Sequence, residues 1–174
     1  PSPCLPCSAR RLWPAWSPDG RQIAFVTDRS TSRVEELSFG DFRLALYDVD
    51  SGRIDAVAGT NRGKQINPQW SADGKSIYFI ADPEGIPDLY RQELDGNRVF
   101  QVSRLRTGVS GLTRQSPALS VAGKTGSIAF CALEEDGYNL FLLDSPELLA
   151  GTPPSVTPLA ANPAALPPQV REPD

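Results

Sequence analysis

Acid, base and nucleophile chemistry has little to work with in this chain. Of its 174 residues, 21 are acidic and 17 basic, and none is histidine. Without imidazole, the usual general base is missing and the Ser-His-Asp and Cys-His arrangements cannot be assembled. The run GVSG from Gly108 is one spacer short of a G-x-S-x-G nucleophile elbow, and no strand-to-helix pattern surrounds it. GTNRGKQ from Gly59 has three spacers where a phosphate loop needs four, and Gln65 stands where Ser or Thr must ligate Mg²⁺. DVDSG from Asp48, with Asp55, is calcium-loop-like, but its glycine falls one place early and no closing Glu follows; a hairpin turn is the simpler reading. Cys4 and Cys7 form a single C-x-x-C with no second pair, which reads as an incidental pair in a tail, and Cys131 as a small strand residue. The segment is therefore expected to be non-catalytic, with no metal and no cofactor.

Three copies of one phrase must position whatever remains. They read PAWSPDGRQIAF from Pro14, PQWSADGKSIYF from Pro68 and PALSVAGKTGSIAF from Pro117. Aligned on Trp16, Trp70 and Leu119 they lie 54 and 49 residues apart, a spacing that marks a repeat array. In the first copy Ser17 accepts, Pro18 presets φ and Gly20 takes a position that often needs positive φ, so a tight turn is predicted. A β-branched and aromatic strand follows it. The third copy has Val121-Ala122 where the first has Pro18-Asp19 and two extra residues before Ile128, which predicts a longer turn.

Further strand signals follow each hairpin: 43–49 and 53–57 after the first, 88–94 and 98–102 after the second, and 138–144 after the third, with a fourth strand over 155–159. Each unit is thus a four-stranded antiparallel meander of propeller-blade size. The fold class is all-β, a partial β-propeller of about three blades with an irregular Pro-rich C-terminal tail. Trp16 and Trp70, at equivalent places before a turn, are expected to pack between adjacent blades; Trp13 has no repeat counterpart.

The phrase resembles the WD-like repeat of TolB-type β-propellers, W-S-P-D-G-[KR]-x-I-[AY]-F, over roughly residues 12–144, strongly in the first two units and weakly in the third. The resemblance implies a binding platform at a bacterial cell envelope or periplasm, or the accessory propeller of a prolyl-oligopeptidase-type peptidase.

The organisation follows: an irregular N-terminal tail at 1–11, blades at 12–58, 66–103 and 115–144, and a Pro-rich segment at 145–174. That last stretch holds eight prolines, a composition that favours polyproline II and reads as a linker, or as a Pro-rich ligand for another protein's groove. Three blades are too few to close a ring of four to eight, and the chain opens on Pro1 without any Met. A segment of a longer propeller, continued by further blades or domains, is the expectation; ring closure between chains is the other.

The meander gives one sharper inference about binding. Second-to-third and fourth-to-first connections of every blade emerge on one face, and the tight turns on the other. The second-to-third connections are acidic (Glu35, Glu36, Asp82, Glu84, Glu134, Glu135, Asp136) and the fourth-to-first connections basic (Arg62, Lys64, Arg104, Arg106, Arg114). Long loops on a rigid scaffold are where binding concentrates. Glu35, Glu36, Arg62, Lys64, Arg104, Arg106, Arg114, Glu134, Glu135 and Asp136 are therefore the candidate site for a protein or peptide partner, against the alternative that they merely solubilise a surface. A net charge of −4 argues against nucleic acid, and no apolar run reaches the roughly eighteen residues of a membrane span.

Overall fold

The computed structural model describes residues 11–60, 62–111, 113, 117–135 and 137–154. β1 (Arg11–Trp16), β2 (Gln22–Thr27), β3 (Arg43–Asp48) and β4 (Ile54–Ala56) form one antiparallel meander. β5 (Gln65–Trp70), β6 (Ser76–Ala81), β7 (Asp88–Glu93) and β8 (Val99–Gln101) form the second. The third sheet holds β9 (Val109–Ser110), β10 (Leu119–Val121), β11 (Ile128–Glu134) and β12 (Gly137–Leu143). The chain is an all-β partial propeller.

The repeated phrase builds its turn from its own side chains. Ser17 Oγ donates to Asp19 Oδ1 at 2.6 Å and accepts from Gln22 N at 2.9 Å, while Gly20 N closes on Ser17 O at 2.9 Å. Ser71, Asp73, Gly74 and Ser76 repeat this in the second sheet at 2.6, 2.9 and 3.0 Å. Both glycines sit at φ near 70°, a left-handed conformation that a side chain would strain. The turns also stack between blades: a Cβ on Gly74 would lie 3.6 Å from Pro18, and one on Gly126 3.8 Å from Ala72.

Strand alternation divides each sheet into two faces. Val26 and Leu44 of the first sheet meet Phe79, Ala81 and Tyr90 of the second, and Ala24 meets Trp70 and Ile77. On its other face the second sheet sets Ile66, Tyr78, Ile80 and Leu89 against Leu119, Ile128, Phe130 and Ala132 of the third. Every residue of β6 is consequently buried. Burial of a large side chain of this kind stabilises by about 1.5–3 kcal/mol. Buried polar groups tie the same seam: Gln65 Oε1 accepts from Leu44 N at 2.8 Å, and Gln92 Oε1 from Gly59 N at 2.9 Å.

The third unit departs from the sequence reading. Its turn is not longer: Val121 pairs with Ile128 as Trp16 pairs with Ile23, and Ala122 N reaches Ser127 O as Ser17 N reaches Gln22 O. The two extra residues instead slide the inner strand, so that Leu119 pairs with Phe130. A slip of two preserves the face, and Leu119 stays buried. The inner strand is also split. β9 and β10 both pair with β11, and the interruption between them falls where β1 and β5 shift register. Trp13 and Asn67 occupy those irregular places at φ 52° and 51°, so Trp13 does have a positional counterpart.

The expectation for 145–174 also needs correction over its first ten residues. Ser145 caps α1 (Pro146–Ala150), accepting from Leu148 N, and Gly151 ends it at φ 70°. Thr152 then pairs with Gln101 beside β8, with bonds of 2.7 and 2.8 Å. Tyr78 Oη donates to Leu149 O at 3.3 Å, and Arg91 Nε to Ala150 O at 3.1 Å. The composition is linker-like, yet this stretch is docked on the second sheet. The expected strand at 155–159, together with Cys4 and Cys7, lies outside the described residues.

Candidate functional site

The connection from β8 to β9 lies against the C-terminal end of β11. Thr107 Oγ1 donates to Leu133 O at 2.5 Å and pins the two together. Between them opens a cavity of about 680 Å³, walled by Arg104, Arg106, Glu134 and Glu135 over an apolar floor of Leu105, Ala132, Leu133 and Phe141. Phe141 is held there by stacking on Phe130, centroids 5.5 Å apart. All four charged residues are exposed, and Glu134 Oε2 accepts from Asn139 Nδ2 at 3.0 Å. Such a volume falls within the range of ordinary ligand pockets.

The ridge 104–106 has a second recess on its far side, about 270 Å³, lined by Glu84, Ile86, Asp88, Tyr90 and Gln101 as well. Asp88 anchors the ridge: its Oδ1 accepts from Ser103 Oγ at 2.7 Å and from Leu105 N at 3.0 Å, and its Oδ2 from Gln101 Nε2 at 3.3 Å. Burial raises the Asp88 carboxyl above the ordinary carboxylate value, with these hydrogen bonds opposing it. Burial, and then the Asp88 charge, pushes the Tyr90 phenol up to about 12, so it is neutral at physiological pH. Behind the ridge, Gly108 at φ 77° packs so closely on Pro87 that a Cβ would lie 2.7 Å away.

Of the residues the sequence singled out, Arg104, Arg106, Glu134 and Glu135 are brought together. Lys64 joins a separate seam, between the first two sheets: its Nζ lies 3.4 Å from Asp82 Oδ2, and its N donates to Asp82 Oδ1 at 2.8 Å. Basic connection against acidic loop is therefore the pattern at both seams. Arg62 is exposed beside Lys64. Glu35 and Glu36 stand apart, on a 3-10 turn spanning Val34–Glu36, where Glu36 pairs with Arg33 at 3.4 Å. Arg114 and Asp136 lie outside the described residues. Sequence reasoning missed Thr107 and Phe141. Phe141 was readable only as a strand residue, and Thr107 gave no signal.

No protein-family model matches the chain. Solved structures show its fold. TolB from Acinetobacter baumannii superposes with TM-score 0.58 at 19% identity, over 76% of this chain and 29% of that one. Puromycin hydrolase does so with TM-score 0.56 at 18% identity, over 78% and 20%. The fold is that of the TolB-type β-propellers. In sequence, the chain is 34% identical over 94 residues to dipeptidyl-peptidase 5 of Porphyromonas gingivalis, which is 54% of this chain and 13% of that protein. It is 31% identical over 123 residues to the uncharacterized peptidase YuxL of Bacillus subtilis, 66% of this chain and 17% of that protein. The chain thus spans under a fifth of the length of these two relatives. Among the described residues no helix is long and apolar enough to cross a membrane.

Proposed function

We propose that this chain is a non-catalytic propeller segment that docks polypeptide in the cleft between its second and third sheets, at the bacterial cell envelope. The observation that carries this is the meeting of Arg104 and Arg106 with Glu134 and Glu135 around one apolar-floored cavity. Opposite charges a few side chains apart over an apolar floor suit a peptide, which offers both charge signs and apolar side chains. The loops spring from hydrogen-bonded antiparallel sheets, and a site built on a preformed scaffold loses less to ordering on binding. The envelope location rests on the likeness to TolB-type propellers.

A second reading is favoured by the names of the relatives, two of which are peptidases in sequence and one a hydrolase in structure. In it the same cleft presents or filters substrate for a catalytic domain of a longer polypeptide. The test of docking is common to both. Immobilised mixed-charge peptides are offered to the intact protein and to its Arg104→Glu/Arg106→Glu variant. Reversal is expected to weaken capture about tenfold or more, equivalent to about 1.4 kcal/mol. Unchanged capture removes the proposal. A nucleophile elbow with its Asp and His in the flanking reading frame decides for the second reading.

A further inference from the structure

The recess of about 270 Å³ on the far side of the ridge 104–106 is a built polar site. Two of the polar side chains that line it are more than nine-tenths buried: Asp88 is 6% exposed and Tyr90 3%. The Tyr90 ring stacks on Phe79, centroids 5.9 Å apart, yet its hydroxyl has no hydrogen-bond partner among the described residues. A hydroxyl both accepts and donates, so this one is open to a ligand. Asp88 is nearly filled. A carboxylate has about four lone-pair places, and Ser103 Oγ, Leu105 N and Gln101 Nε2 take three of them. The place that is left lies on Oδ2. Glu84, which is exposed, adds a second carboxylate to the lining. Burial acts first on the Tyr90 phenol; after it, the acids Asp88 and Glu84 outweigh Arg104, and Asp82 adds to them. The field in the recess therefore favours a cation.

We infer that this recess takes the side-chain ammonium of a lysine in the polypeptide docked across the ridge, an inference that rests on the docking reading above. An ammonium has three donors and no acceptor. They match the remaining place on Asp88 Oδ2, the Tyr90 oxygen and the Glu84 carboxylate. A guanidinium suits the recess less well, because its planar fork wants two carboxylate oxygens side by side, and Asp88 offers one. Ile86 and Leu105 supply apolar wall for the lysine methylenes. Arg104 and Arg106 line both the recess and the cleft. An acidic residue near the lysine in the docked chain meets them on the ridge. The ligand so defined is a polypeptide that carries a lysine close to an acid.

The experiment is fluorescence anisotropy of the intact chain with Ser- and Leu-rich peptides, each carrying one Glu and one Lys. Their amino termini are acetylated, which removes a competing ammonium. Each is compared with a twin whose lysine is acetylated and with another that has arginine in its place. The lysine peptide is expected to bind at least about tenfold more tightly than the acetyllysine twin, in line with hydrogen bonds to a charged group. The arginine peptide is expected to fall between them. In a Glu84→Gln/Tyr90→Phe variant the ratio of lysine to acetyllysine binding should collapse toward one. Phe keeps the ring on Phe79, and circular dichroism checks the fold. If the double variant fails to fold, Glu84→Gln alone should lower the ratio by about threefold or more. Equal binding of the lysine and acetyllysine peptides to the wild type overturns the inference, as does arginine binding as tightly as lysine. So does a ratio that persists in the variant, since the lysine is then held elsewhere. Docking is read separately, with the acetyllysine peptide and the Arg104→Glu/Arg106→Glu variant. Undiminished binding there removes the docking reading, whereas weakened binding without any lysine preference sinks this inference alone. Failure of every peptide to bind the wild type removes both.

Discussion

Trp70 Nε1 donates to the carbonyl of Ala15 at 3.0 Å, one residue before Trp16 and across the seam between two sheets. Two tryptophans at the same place in a repeat thus have opposite fates. Trp70 is clamped between sheets, and Trp16 has no sheet against it among the described residues. The expectation that both pack between blades holds for Trp70 and fails for Trp16, because the phrase encodes the place in the blade and not its neighbour.

Trp70→Ala is expected to destabilise the fold by about 3–5 kcal/mol, the usual cost of deleting a buried indole. Trp70→Phe keeps much of the apolar burial and loses about 1 kcal/mol for the hydrogen bond. Urea unfolding followed by far-ultraviolet circular dichroism separates the two. Equal, small losses would mean that the seam is not packed as described.

Gln65 is fully buried and serves two backbone groups, accepting from Leu44 N and donating to Thr60 O, each at 2.8 Å. Gln65→Leu removes both partners. It should cost at least about 2 kcal/mol despite the gain in apolarity, since each orphaned buried group costs about 1–3 kcal/mol. The same unfolding measurement checks it, and a neutral or stabilising result would contradict the seam.

Asp19 and Asp73 are held below the ordinary carboxylate value, first by the hydroxyls of Ser17 and Ser71 and next by the amides of Arg21 and Lys75. A carboxyl lowered on folding stabilises above its unfolded value of 3.8, and that contribution is lost as pH falls through the lower folded value. Below pH 3.8 the amides of Arg21 and Lys75 should therefore lose hydrogen-exchange protection. Ser127 N, in the third turn that carries Lys124 instead of an acid, should not follow. Parallel loss at all three would point to general unfolding.

Asp88 runs the other way. Its carboxyl is raised on folding, chiefly by burial, so its ionised form opposes stability at neutral pH. That opposition is relieved as pH falls through the raised value toward the ordinary one. Carboxyl-carbon NMR should titrate Asp88 above 3.8, the reverse of Asp19 and Asp73. Asp88→Asn should flatten the dependence while keeping the bond from Ser103, and Asp88→Ala should loosen the ridge that carries Arg104 and Arg106.

Much of the fold was legible because Ser17-Asp19-Gly20 and Ser71-Asp73-Gly74 solve one turn with the same atoms, and alternation then assigns the faces of β2 and β6. Legibility failed where competing signals overlapped. The capping Ser145, Pro146 and Gly151 mark α1 plainly, but a Pro- and Ala-rich setting masked them. The slip of Leu119 onto Phe130 costs nothing in burial, so the alignment of the phrases could not reveal it. The cleft was half visible: meander geometry puts its charges on one face, whereas the Phe130–Phe141 stack and the Thr107–Leu133 bond depend on tertiary packing.

The most direct test of the docking cleft is a backbone-amide NMR titration of the intact chain with a mixed-charge peptide that it captures. Shifts are predicted to concentrate at 104–107 and 133–135 and to vanish in the Arg104→Glu/Arg106→Glu variant. Shifts centred instead on the turns at 17–20 and 71–74, on the opposite face, would contradict the account.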